Sequence, residues 1–263
     1  LTLGYKDHYD PQLLSPISRR TQREEIGIGD PLPFWGMDIW TAYELSWINP
    51  RGKPQIAIAT LDFPADSPQL IESKSLKQYL NSFNQTSFEN APAVRSILTR
   101  DLSRVSGGPV EVLLKSAEVF GEEQIETLPG ESLDQREVDI QDYRVNPDFL
   151  TAGAPAVEET LVSNLLKTNC PISGQPDWAA IQIRYQGPRM DRAGLLRYLV
   201  SYRQHQDFHE NCVERIFMDL RGRCRPEKLT VYARYTRRGG IDINPFRTNF
   251  ETSPPVHSRT ARQ

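Results

Sequence analysis

Hydrophobic positions change period several times along the chain, and each change marks an element. Residues 38–48 and 55–61 alternate β-branched and aromatic side chains with polar ones, the pattern of two strands, and Asn49-Pro50-Arg51-Gly52 between them carries the turn chemistry of a hairpin. The spacing then becomes helical. Leu76, Tyr79, Leu80 and Phe83 share one helix face, and Val94, Ile97, Leu98 and Leu102 share another. Gly107-Gly108-Pro109 stops the second helix, and residues 110–114 read as a strand. The same order then returns: strands over 159–168 and 179–186, amphipathic helices over 192–204 and 209–222, and a strand over 229–235. Residues 1–32 are polar and Pro-spotted without sustained periodicity, which predicts an extended arm, and 121–158 reads as a connector with one short strand around 138–143.

The return is visible in the letters as well. Leu76–Gln85 set over Leu195–Gln204, an offset of 119, gives five identities in ten positions, and the same offset pairs Val94 with Val213, Ile97 with Ile216 and Val112 with Val231. This predicts an internal duplication of a strand-strand-helix-helix-strand module. Hairpin-joined strands with helices arriving in pairs imply antiparallel sheets with helices on one face, an α+β fold. The expected organisation is an N-terminal arm (1–32), a first module (33–120), an acidic connector (121–158) and a second module (159–263).

Charge changes this picture only locally. The net charge is −3 with a pI near 5.9, which argues against a nucleic-acid coat. Residues 121–160 nevertheless hold eleven acidic side chains against two arginines, whereas 215–238 is rich in Arg and Lys. A local anion site fits that distribution better than a polyanion groove. No apolar run approaches the roughly 20 residues that span a bilayer, and no basic segment leads into an apolar one near the start, so neither membrane insertion nor secretion is expected. The chain begins at Leu1, and a short preceding piece is expected. Cys170, Cys212 and Cys224 form no even set, which points to reduced thiols in a cytoplasm.

Four segments carry candidate chemistry. In Thr168-Asn-Cys-Pro-Ile-Ser-Gly-Gln-Pro-Asp177-Trp178 a cysteine at a strand end enters a loop of turn residues, where a thiol can meet substrate and Asp177 can fold back to handle a proton. Free cysteines are more often small buried apolar residues, and that alternative stands for Cys170 and more strongly for Cys212 and Cys224. His205, His209 and Cys212 have the i, i+4, i+7 spacing that places three metal ligands on one helix face, against the alternative that His209 and Glu210 face a small-molecule pocket while Cys212 packs inward. Glu72-Ser-Lys-Ser-Leu-Lys77 opens a helix with hydroxyls, ammoniums and unpaired N–H groups suited to phosphate, or else Ser73 or Ser75 is a plain cap. Arg234-Tyr-Thr-Arg-Arg-Gly-Gly240 offers guanidinium forks beside glycines, or is a solvated face. Gly27-Ile-Gly29 lacks the strand and third glycine of a Rossmann turn, so a dinucleotide must bind in another way.

Taken together these segments resemble the nitrile reductases of queuosine biosynthesis, the family often written QueF, in its longer two-module form. The resemblance rests on Glu72–Tyr79, Asn169-Cys170-Pro through Gln175-Pro-Asp-Trp178, Phe208-His-Glu-Asn-Cys-Val-Glu-Arg215, and Arg234–Gly240 with Asp242-Ile-Asn-Pro245, and it runs from about Leu13 to about Arg247. It implies tandem tunnelling-fold modules and NADPH-dependent reduction of 7-cyano-7-deazaguanine, with Cys170 as nucleophile and Asp177 as acid–base group. It further implies substrate binding by Ile71, Glu72, Ser73, His209 and Glu210, and NADPH binding by Ser73, Lys74, Arg238 and Gly239. No metal, no direct nucleic acid and no membrane is expected, and a homodimer is. The related zinc-dependent cyclohydrolases, with Cys and His ligands, set the alternative of a metal enzyme acting on a purine or pterin.

Overall fold

The computed structural model describes residues 5–256 and 258–263, which fall into two compact units. One comprises Leu1–Gln22, Asp38–Glu123 and Arg237–Asp242; the other comprises Arg23–Met37, Gln124–Thr236 and Ile243–Gln263.

The first unit begins with β1 (Pro16–Ser18) and the start of α1 (Arg19–Glu25), and continues through β2 (Trp35–Ile48), β3 (Pro54–Pro64), β4 (Gln69–Ile71), α2 (Ser73–Asn81), α3 (Ala91–Ser106) and β5 (Glu111–Ser116). Its sheet runs β5-β3-β2, and β1 pairs antiparallel with β4 in a small second sheet. The β2–β3 hairpin forms where the sequence places it, because Gly52 takes the positive φ its turn requires and Asn49 accepts from the amides of Arg51 and Lys53. Helix α3 starts on the Asn90 side chain with Ala91, Pro92 and Ala93 behind it, and ends at Gly107 in the left-handed region. The apolar face read from the sequence is the core: Leu76, Tyr79, Phe83, Val94, Leu98 and Leu102 are fully buried.

The second unit holds β6 (Glu131–Ser132), β7 (Ala152–Asn169), β8 (Pro176–Met190), α4 (Arg192–Ser201), α5 (His209–Cys224), β9 (Lys228–Tyr235) and β10 (Ile241–Thr248). Its strands run β10-β9-β8-β7-β6, antiparallel except for the two-residue β6–β7 pairing, so the α+β expectation holds. The duplication extends to side-chain bonding within each unit. Tyr79 donates to the buried Asp101 carboxylate at 2.8 Å, and Tyr198, 119 positions on, donates to Asp219 at 2.6 Å. Ser82 and Ser201 each return their hydroxyl to the carbonyl of that tyrosine, both at 2.6 Å.

Two expectations change. The extended arm contains helix α1, which periodicity does not reveal because charge anchors it: Arg19 is bonded to Asp38 at 2.6 Å in the first unit, and Arg23 is bonded to Glu214 at 2.7 Å in the second. The connector forms no strand at 138–143; it holds β6, a 3-10 turn at Pro147–Phe149 and the start of β7, which begins at Ala152 rather than at 159, and after β6 the Asp134 carboxylate accepts from Ser163 Oγ and from the Asn164 amide at the bulge in β7. Part of its negative charge is spent locally: Arg192 bonds Glu131, Arg144 pairs with Asp142 and Arg223 with Asp148.

Candidate active site

The end of the β7–β8 hairpin follows from its register. Thr168 pairs with Asp177 and Asn169 with Pro176, and the loop closes with Cys170 N donating to Gln175 O at 2.8 Å and Gly174 N to Cys170 O at 2.9 Å. Thr168 and Asp177 stand directly opposite and so share one face of the sheet, and Cys170 follows one residue past the end of β7. Burial follows: Thr168, Cys170 and Asp177 are buried, while Pro171, Ile172, Ser173 and Gly174 are exposed. The Cys170 thiol is nine-tenths buried, at the closure of an exposed loop.

Helix α5 brings the partners to that face. His209 and Glu210 form its first turn, Glu210 fully within the protein. The His209 ring stands edge-on to Tyr235, with centroids 4.0 Å apart, and its Nε2 lies 3.8 Å from Asp177 Oδ1. Tyr235 is buried, and burial pushes its hydroxyl well above the ordinary phenol range, so it stays a neutral dipole beside His209. Sequence reading did not single out Tyr235. The signal was there in the strand phase: Ala179 pairs with Tyr235, and Ala179 lies two residues, hence one pleat, from Asp177.

The metal trio does not assemble as spaced. His209 turns toward Asp177 and Tyr235, whereas His205 and Cys212 gather with Asp207, their ligand atoms all within 4.8 Å of one another. Asp207 is already engaged by the Phe208 amide at 2.8 Å and by Asn211 Nδ2, and burial holds the Cys212 thiol protonated, well above its usual range, with Asp207 adding to the effect. These bonds tie Asp207 into the turn before α5, and Cys212 is buried beneath it.

In the first unit Ile71 is buried at the end of β4, and Glu72, rather than Ser73 or Ser75, caps α2. Its carboxylate accepts from Lys74 N at 2.9 Å and Ser75 N at 2.7 Å, and Ser75 Oγ returns to Glu72 O. The helix start is therefore not a bare anion cradle, since its first free amides are taken by the protein's own carboxylate. What the unit does assemble is cationic: Lys77, one turn after Lys74, packs against the turn that follows Arg238. A Cβ on Gly239 would stand 3.1 Å from Lys77 Cδ, and one on Gly240 only 2.5 Å from the Glu44 carboxylate. Both glycines have positive φ, so backbone conformation and crowding both call for glycine there. A cavity lies beside this turn, lined by Glu44, Lys77, Leu80, Asn81, Gly239 and Gly240. Arg237 is stacked over Tyr43 at 4.3 Å. The sites named from sequence thus form two sets, Cys170, Asp177, His209 and Glu210 in one unit, and Ile71, Glu72, Ser73, Lys74, Arg238 and Gly239 in the other.

Comparison with known proteins identifies the family of the chain. Residues 5–114 match the family model described as nitrile reductase, 7-cyano-7-deazaguanine-reductase N-term, and residues 176–254 match that described as QueF-like protein. The NADPH-dependent 7-cyano-7-deazaguanine reductase of Burkholderia pseudomallei (strain 1106a) is 58% identical over 261 residues, 98% of this chain and 95% of its own. The enzyme of the same name from Burkholderia thailandensis is 57% identical over 265 residues, 100% of this chain and 96% of its own. A solved archaeosine synthase QueF-Like in the apo form is 16% identical, over 38% of this chain and 99% of that one, with a TM-score of 0.33. With 58% identity over nearly its whole length, and with family models matching both its N-terminal and its C-terminal parts, the chain belongs to the 7-cyano-7-deazaguanine nitrile reductase family.

Proposed function

We propose that the protein reduces the nitrile of 7-cyano-7-deazaguanine to an aminomethyl group with NADPH, in queuosine biosynthesis, through a thioimide on Cys170. The observation that carries this reading is a buried Cys170 at the closure of the β7–β8 hairpin, whose other strand bears Asp177 with His209 Nε2 3.8 Å from its carboxylate. A nitrile carbon is a poor acceptor of hydride, and a free imine hydrolyses in water, so covalent capture both activates the carbon and retains the intermediate. As the Cys170 sulfur adds to the nitrile carbon, Asp177 takes the thiol proton and returns it to the nitrogen, which receives one π pair; the carboxylate is regenerated. His209, its ring plane fixed by Tyr235, supports Asp177 and supplies protons as the nitrogen becomes an amine. Glu210 accepts N–H donors of the deazaguanine face, and Ile71, Glu72 and Ser73 are proposed for substrate binding as well.

NADPH supplies the hydride, twice in succession, because nitrile to amine is a four-electron change. Ser73, Lys74, Arg238 and Gly239 hold it, and the packing of Lys77 on the Gly239 turn supports a cationic surface of that composition. No helix among the described residues is long and apolar enough to cross a membrane. The chain acts in the cytoplasm as a homodimer on a free small molecule, without nucleic acid.

The test mixes protein with 7-cyano-7-deazaguanine in the absence of NADPH and reads intact mass. Wild type and Cys212→Ala gain the mass of the substrate, and Cys170→Ala does not. An adduct that survives loss of Cys170 overturns the nucleophile assignment.

A further inference from the structure

The residue before the nucleophile is gripped from several directions. Asn169 donates its amide to His205 O at 2.8 Å and accepts at its carbonyl from Asp207 N at 3.2 Å, a parallel bridge centred on Gln206. Its side-chain oxygen accepts from Lys167 Nζ at 2.6 Å, and the same ammonium reaches Arg203 O at 2.8 Å. The three residues 205–207 are thus a strap laid along the last residue of β7, one position before Cys170, and the strap runs straight into the first turn of α5.

Asp207 joins the two ends. Phe208, at the N-cap of α5, makes no side-chain cap bond. The Asp207 carboxylate stands in from one residue earlier: Oδ1 accepts from the Phe208 amide at 2.8 Å, and Oδ2 accepts from Asn211 Nδ2 and faces His205 Nε2 at 3.4 Å. One residue therefore holds the nucleophile strand with its backbone and the turn bearing His209 and Glu210 with its side chain. Its carboxylate is 14% exposed, and its bonds run to the strap and to α5.

We infer that Asp207 is a positioning residue that fixes the Cys170 loop against the first turn of α5, so that sulfur, Asp177 and His209 meet the nitrile in register. This rests on the proposed role of Cys170. Near-attack geometry is steep: a displacement of about 1 Å costs on the order of 100-fold in rate. Lys167 serves the same end from the other side of Asn169.

Single-turnover adduct formation with 7-cyano-7-deazaguanine, without NADPH, reads the effect on the full-length protein. Asp207→Ala is expected to slow adduct formation by roughly 10- to 100-fold, and Asp207→Asn to recover part of it, because the amide oxygen still accepts from Phe208 N. Steady-state kcat falls with it, while KM for NADPH stays near wild type, a split that general loosening of the fold would not give. A folded Asp207→Ala protein that captures substrate within threefold of the wild-type rate overturns the inference. If Asp207→Ala does not fold, Lys167→Met takes its place, expected to slow capture by about five- to tenfold, with a wild-type rate again overturning it. Failure of the underlying reading shows separately, as an adduct in Cys170→Ala.

Discussion

Replacing Glu214 by Gln tests what holds α5 where it can present His209 and Glu210. The carboxylate receives four N–H groups: Arg23 Nε at 2.8 Å and Nη2 at 2.7 Å, and Arg247 Nε at 2.9 Å and Nη2 at 2.8 Å. Glutamate and both arginines are buried, and the two guanidiniums lie 5.7 and 5.5 Å from the Phe34 ring, so neither can turn out to water without leaving an aromatic neighbour. Gln keeps the volume but removes the charge and sets an amide N–H₂ against a guanidinium N–H. Breaking a buried ion pair by removing one partner costs about 3–5 kcal/mol, since the remaining charge stays desolvated. Here two cations remain, which places the variant at the upper end of that range. At about 2–4 °C per kcal/mol for a chain of this size, the midpoint of thermal unfolding should fall by roughly 6–20 °C. Urea unfolding followed by far-UV circular dichroism gives the free energy directly, and the loss should be nearly the same at low and high salt because the site is shielded from counterions. A change below about 1 kcal/mol would refute the reasoning and mean that water reaches the triad.

Three further outcomes follow from individual side chains. Burial, with the Glu111 carboxylate beside it, raises Asp62 from 3.8 to about 6. The folded state then holds a proton that the unfolded chain has lost between those values, so stability falls as pH rises through that window; Asp62→Asn should unfold at higher temperature than wild type at pH 7.5 and at the same temperature near pH 4, and an equal difference at both would contradict it. Burial raises Cys224 to about 11 and Cys212 well above its usual range, so a thiol reagent at pH 8 should label neither in the native protein and both after unfolding, as peptide mass mapping would show. Glu72→Ala should lose the α2 cap at a cost of about 0.5–2 kcal/mol as well as substrate affinity. Glu72→Gln keeps one acceptor for the helix and should recover stability more than affinity, and parallel recovery of both would count against a separate role in binding.

The fold was legible wherever a face was buried, because burial imposes period. Leu76, Tyr79 and Phe83, and Val213, Ile216 and Leu220, announce their helices and lie at the core. The Tyr–Asp and Ser–carbonyl bonds repeated in each unit show that the letter-level duplication reflects a structural one. Elements held by charge or by a few backbone bonds leave no period to read. Helix α1 is fastened by Arg19 and Arg23, and β6 is two residues long. At the site, residue types named Cys170 and Asp177, and the hairpin register sets Asp177 opposite Thr168, two residues before Cys170. Asp207 was not singled out, since its bonds to Asn169 are made by the backbone and no spacing encodes them, and His209 left the metal trio because its ring finds Tyr235.

The cap at Glu72 bears on any attempt to redesign the pocket. On the proposed reading, one carboxylate both starts a helix and reads the heterocycle, so a library that varies position 72 to admit other purines would mostly sample damaged helices, and loss of activity there would say little about selectivity. Glu210 lies one residue into the first turn of α5, whose capping carboxylate is Asp207. Diversification of substrate scope is better begun at position 210, with Glu72 held constant.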